Sequence, residues 1–82
     1  MKSIRENLKK LGVELESRYL IYRTDEKTLV VPYYHIRTVE LKGKRIVVST
    51  GGVERVNMDM PSEEMAMALF EELLLYLERV YL

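Results

Sequence analysis

His35 is the only histidine in the chain, so a histidine-based metal site or catalytic triad would have to be completed by carboxylates alone. No H-E-x-x-H or comparable spacing is present. Lying beside Tyr33 and Tyr34, His35 reads as a polar residue of a bend. Ser49-Thr50-Gly51-Gly52 has the composition of an anion nest, but a phosphate loop leads into a helix N-terminus, and Val53 to Met60 reads as a strand. A hairpin turn is therefore predicted there. Asp59, Glu63 and Glu64 gather acids near the start of the last apolar segment, where a helix macrodipole favours negative charge without any chemistry. With no nucleophile, base and orienting group to assemble, the chain is not expected to be an enzyme, and neither a metal nor a cofactor is expected.

Six tyrosines stand among thirteen lysines and arginines, which raises nucleic acid as an alternative ligand. Bases can stack on Tyr22, Tyr33 or Tyr34 while Arg37, Lys42, Lys44, Arg45 and Arg55 meet phosphates. The ribonucleoprotein aromatic signature is absent, and a formal net charge of zero works against a strong phosphate contribution. Four methionines, Met58, Met60, Met65 and Met67, flank one junction and are suited to an adaptable apolar surface, with core packing expected for at least half of them.

These residues must be positioned by a small scaffold. At 82 residues the chain has room for one domain, spanning 1–82, which buries only about 60–65% of its unfolded surface. The lack of cysteine removes disulfides and thiolate metal sites and points to a reducing, cytoplasmic setting. The first ten residues are charged every two or three positions, so no secretory leader is expected, and no segment is long and apolar enough to span a bilayer. Absence of Cys, Gln and Trp with 32% charged residues leans toward a thermophilic source. Charge is uneven: Lys2, Arg5, Lys9 and Lys10 oppose only Glu6 at the start, whereas Glu63, Glu64, Glu71, Glu72 and Glu78 oppose only Arg79 at the end. Contact between the two ends of the chain would account for this, as would a basic arm for nucleic acid.

Ser3 followed by Glu6 forms a capping-box pattern, Ile4, Leu8 and Leu11 share a helical face, and Gly12 marks a stop, so residues 1–12 are predicted to hold a short helix. From Val13 the period becomes two, and Val13, Leu15, Tyr19 and Ile21 are predicted to face inward along one strand. Thr24 to Lys27 turns the chain. Thr28 to Val31 forms a strand that ends at Pro32, and Tyr33 to His35 bend. Ile36 to Leu41, Lys44 to Ser49 and Val53 to Met60 follow as strands joined at Lys42-Gly43 and Gly51-Gly52. A two-residue loop pairing Leu41 with Lys44 would set Val39 opposite Ile46 and Glu40 opposite Arg45. A three-residue bulged loop at Gly51-Gly52 would let Ile46 and Val48 share a face with Val56 and Met58. Residues 13–60 thus read as a curved antiparallel sheet of about five strands.

Ser62 caps a helix predicted over 62–82. Met65, Ala66, Leu69, Phe70, Leu73, Tyr76, Leu77 and Val80 make its core stripe. A further row, Met67, Leu74 and Tyr81, is spaced by seven and interleaves with Phe70 and Leu77 in a three-four alternation. Leu75 and Leu82 add apolar residues on the polar side. Either the face of the first helix covers this row or a partner does. Met67, Phe70, Leu74, Leu77 and Tyr81 are the candidate seam of a homodimer, worth roughly 1.5–3 kcal/mol for each fully buried large side chain.

The run Val31-Pro32-Tyr33-Tyr34-His35-Ile36-Arg37-Thr38-Val39-Glu40-Leu41, then Arg45 to Gly52, then a strand and a long helix, resembles the small PH-like and GRAM-like domains over about residues 28–82. The resemblance implies an α+β architecture and a binding role. The predicted strand count, about five against seven, makes it a truncated version, and no basic phosphoinositide loop is seen, so a lipid surface is not the expected partner. The function expected is a non-enzymatic protein interaction module, homodimeric through the last helix, with Pro32, Tyr33, Tyr34 and His35 as a second candidate contact for another protein. The alternative is nucleic-acid binding by Lys2, Arg5, Lys9 and Lys10 together with Arg37, Lys42, Lys44 and Arg45.

Overall fold

The computed structural model describes residues 4–52 and 54–81; Met1, Lys2, Ser3, Val53 and Leu82 lie outside the described residues, and with them the Ser3 cap. Helix α1 (Ile4–Lys10) stops where the sequence indicates. The Gly12 amide donates to the Lys9 carbonyl, and Gly12 takes a φ of 90°, a left-handed conformation that suits glycine. α1 packs on β1 (Val13–Leu15). Leu8 is buried there, with Ile4 and Leu11 half-buried beside it.

The stretch from Val13 to Arg23 is not one strand but a hairpin, β1 and β2 (Tyr19–Arg23), paired Val13↔Tyr22, Glu14↔Ile21 and Leu15↔Leu20. The Glu16 amide donates to the Tyr19 carbonyl at 2.9 Å and closes the turn. This inverts the expected face of β2. Leu20 is buried and Tyr22 packs on the core, while Tyr19 is exposed. β2 pairs with β3 (Thr28–Pro32) around a four-residue turn at Thr24 to Lys27. The Thr24 hydroxyl oxygen accepts from the Glu26 and Lys27 amides, an arrangement typical of threonine at such turns.

A 3₁₀ turn (Tyr33–His35) then breaks the ladder, because Pro32 has no amide to continue it. Beyond it β4 (Thr38–Lys42), β5 (Arg45–Ser49) and β6 (Arg55–Asp59) form a second meander. The expected single sheet of about five strands is therefore two three-stranded antiparallel sheets, β1-β2-β3 and β4-β5-β6. The sixth strand comes from the hairpin at Glu16 to Arg18.

The β4–β5 register also differs from the one read in the sequence. Lys42 lies opposite Arg45, Leu41 opposite Ile46, Glu40 opposite Val47 and Val39 opposite Val48. Both registers send Val39, Leu41, Ile46 and Val48 to one face, so apolar patterning cannot separate them. Gly43 decides, with a φ of 59° at the first central position of a two-residue loop, as a type II′ turn requires. Ile46 and Val48 oppose Met58 and Val56 as expected. The paired residues end at Ser49 and Arg55, one pair short of a three-residue loop.

Helix α2 (Glu63–Tyr81) closes the molecule. The Ser62 hydroxyl accepts from the Met65 amide at 3.1 Å, the N-cap bond expected of serine. α2 packs on β4, β5 and the 3₁₀ turn, burying Ala66, Leu69, Leu73 and Tyr76. One apolar cluster runs through both sheets and both helices. The Cα radius of gyration is 11.8 Å, close to the roughly 12 Å of a packed chain this long.

On the outer side of β1, Glu14 lies 2.9 Å from the Arg23 guanidinium and 3.7 Å from Lys9. The hydrogen bond from Arg23 is the main reason the Glu14 carboxyl is held below the usual carboxylate range. A folded-state pKa below the unfolded one stabilises the protein above the ordinary glutamate range of about 4.3, and that contribution fades as pH falls through the folded value. Wild type should therefore be slightly more stable than Glu14→Gln at neutral pH, with the gap closing in acid. Urea titrations at neutral and acidic pH measure this directly; an equal gap at both would contradict it.

Candidate interaction surface

α1 lies on β1 and does not cover the outer row of α2. Met67 is 45% exposed, Leu74 39%, Leu75 48% and Tyr81 58%, while Phe70 and Leu77 are half-buried against the core. The predicted seam residues thus divide. Met67 and Leu74 face solvent, and Phe70 and Leu77 form the inner flank of the same strip. Tyr81 is exposed over its ring, but its hydroxyl is within reach of the Tyr33 and Ile36 carbonyls, at 3.2 and 3.3 Å. Its phenol is tied to the bend rather than free for a partner.

The second candidate contact also divides. Tyr33 is fully buried, with its ring centroid 5.8 Å from that of Tyr76. Its hydroxyl donates to the Glu16 carbonyl, its amide to the Arg18 carbonyl. Burial, followed by the neighbouring Tyr76 and Glu16, pushes its phenol well above the ordinary tyrosine range. Tyr33 is therefore a core residue, not a docking one. Pro32 is half-buried; Tyr34 and His35 are exposed and meet edge to face at 4.5 Å.

The cations proposed for nucleic acid are dispersed and mostly engaged. Arg5 donates to the Leu15 carbonyl, Lys9 sits by Glu14, Lys42 lies 3.8 Å from Glu40 and Arg45 is 2.6 Å from Asp59. Arg37 packs over Gly51, where an added Cβ would come within 2.7 Å of its Nε. Lys44 is exposed, as is Lys10 on α1, and Lys2 lies outside the described residues. Lys9 finds its carboxylate on β1, so its pairing does not bring the two ends of the chain together. Met58 and Met60 are buried, Met65 half-buried and Met67 exposed. No group of three or more potential metal ligands is found among the described residues, and no described helix is long and apolar enough to cross a membrane.

An apolar strip on the outer side of the first sheet escapes the sequence reading. Tyr19 lies opposite Pro32, and Ile21 opposite Val30, with Tyr19 and Val30 exposed. Only the inverted face of β2 puts Tyr19 and Ile21 there. A shallow groove of about 430 Å³ separates the β2–β3 turn from β6, and another of about 580 Å³ lies between Arg18, Tyr34 and Arg79. No protein-family model, curated protein or solved structure matches the chain.

Proposed function

We propose that this protein is a non-enzymatic interaction module whose contact surface is the outer face of α2. The observation that supports this reading is the exposure of Met67, Leu74 and Leu75 along a helix whose opposite side alone closes the core. A two-sheet scaffold of this size needs one buried stripe on its covering helix. Among the described residues, Met67, Leu74 and Leu75 lie outside the core cluster. An apolar helix face docks a second helix through side chains recurring every three and four residues, and 67, 70, 74, 77 and 81 follow that spacing.

The same three-four spacing would also allow self-association, one helix from each protomer. Light scattering on a size-exclusion column across a range of concentrations tests it. Leu74→Lys should convert a dimer to monomer without changing the circular dichroism spectrum, since Leu74 is outside the core; a mutant that remains dimeric would remove the face from the contact. The kinship with PH-like domains suggested by the Val31 to Leu41 run is part of this proposal, as a binding scaffold. Nucleic acid is less well supported, because its cations are divided between α1 and the second sheet and several already pair with carboxylates.

A further inference from the structure

Taking residues 67 and 74 as the first positions of successive heptads, with 70 and 77 as the fourth, places Glu71 and Glu78, and Glu64 one heptad earlier, at the fifth position of the heptad beside the seam. The seventh positions on the other side are Ala66, Leu73 and Val80, all turned into the protein's own core. A docking helix can therefore be flanked by charge on one side only, and that side is uniformly acidic. Glu64, Glu71 and Glu78 are exposed, and none of them forms an ion pair among the described residues. The macrodipole favours Glu64 in the first turn but opposes Glu78 in the last. Neither helix stability nor an internal salt bridge accounts for the row.

A second copy of this chain fits the face poorly. Antiparallel helices would bring the two glutamate rows together, and like charges set against each other act against pairing. Parallel helices would set each glutamate row against positions already buried in the partner's core. We infer that the natural occupant of this face is an amphipathic helix from another protein, apolar at three-four spacing and lined with lysine or arginine along the side that meets Glu64, Glu71 and Glu78. This rests on the reading of α2 as the contact surface and names its partner chemistry.

The test uses about three heptads of synthetic helix, fluorescently labelled, with leucine at the seam positions and lysine along one flank. Two controls accompany it: the same peptide with glutamate on that flank, and a scrambled peptide of equal positive charge. Binding is followed by anisotropy at physiological salt. The lysine peptide alone should bind the full-length protein, Glu71→Lys with Glu78→Lys should weaken it about tenfold, and Leu74→Ser should weaken it further. The charge-reversed protein should gain affinity for the glutamate peptide, an effect that loss of folding cannot produce. Equal binding of both amphipathic peptides, binding of the scrambled one, or indifference to the charge reversal would overturn the inference. So would failure of the lysine peptide to bind. Light scattering then separates the two levels: a dimer dispersed by Leu74→Lys keeps the face as a contact surface but makes a second copy its occupant, whereas a monomer that binds neither amphipathic peptide removes the face itself.

Discussion

Tyr33→Ala should destabilise the fold by about 3–5 kcal/mol, the usual cost of truncating a buried aromatic residue. That is a large part of the roughly 5–15 kcal/mol available to a folded domain. Tyr33 is the point where three parts of the chain meet. Its amide and hydroxyl hold the carbonyls of Arg18 and Glu16 in the β1–β2 turn, its ring packs on Tyr76 of α2, and its own carbonyl accepts from Tyr81. Tyr33→Phe keeps the ring and loses only the bond to the Glu16 carbonyl, so its cost should be about 1–2 kcal/mol. Urea midpoints of the two variants give the comparison, and a Tyr33→Ala protein within about 1 kcal/mol of wild type would show that the junction is not stabilising. The raised phenol pKa adds an alkaline signature. Because the unfolded phenol ionises near pH 10 and the folded one resists ionisation, stability should fall as pH rises past about 10, and less so in Tyr33→Phe.

Gly12→Ala should be the most damaging of the glycine substitutions. An alanine there would keep a φ of 90°, which costs an L-residue about 1–2 kcal/mol. Its Cβ would also collide with the Arg23 carbonyl oxygen. That oxygen belongs to backbone and cannot swing aside, and the Gly12 carbonyl accepts the Arg23 amide at 2.8 Å, so the two strands are fixed against each other. The expected loss exceeds about 2 kcal/mol. Gly52→Ala is the control. Nothing lies within 4 Å of its Cβ position, and its effect should stay within about 0.5 kcal/mol. Equal midpoints for the two alanine variants would mean that the α1–β1 corner adapts.

What could be read beforehand followed the strength of local signals. α2 was legible because its apolar period is long, Ser62 supplies the cap, and its outer row is surplus to a single stripe. The hairpin at Glu16-Ser17-Arg18 was hidden because it contains neither glycine nor proline, and because Tyr19 and Leu20 are both good strand residues. Choosing between them sets the face of every residue to Arg23. The β4–β5 slip was invisible to apolar patterning for a different reason: either register gives the same core. The destination of α1 could not be read either, since Ile4, Leu8 and Leu11 make a stripe that suits β1 as well as α2. The candidate surface was thus visible as a residue list, while its exposure depended on where α1 went. Tyr33 reads as a bend residue in the sequence because its partners are main-chain carbonyls about fifteen residues away, which leave no side-chain pattern.

Among the described residues every strand pairs only with its neighbour in sequence, which bears on the order of events during folding. Each meander can form from contacts made locally, with little loop-closure entropy to overcome, and proteins of such connectivity fold quickly. The joins that span the chain are the docking of α2 and the bond from Tyr81 to the carbonyl of Tyr33, 48 positions away. Assembly should therefore be limited by the docking of α2, after both meanders have begun to form, and during synthesis it would have to wait for α2 to leave the ribosome.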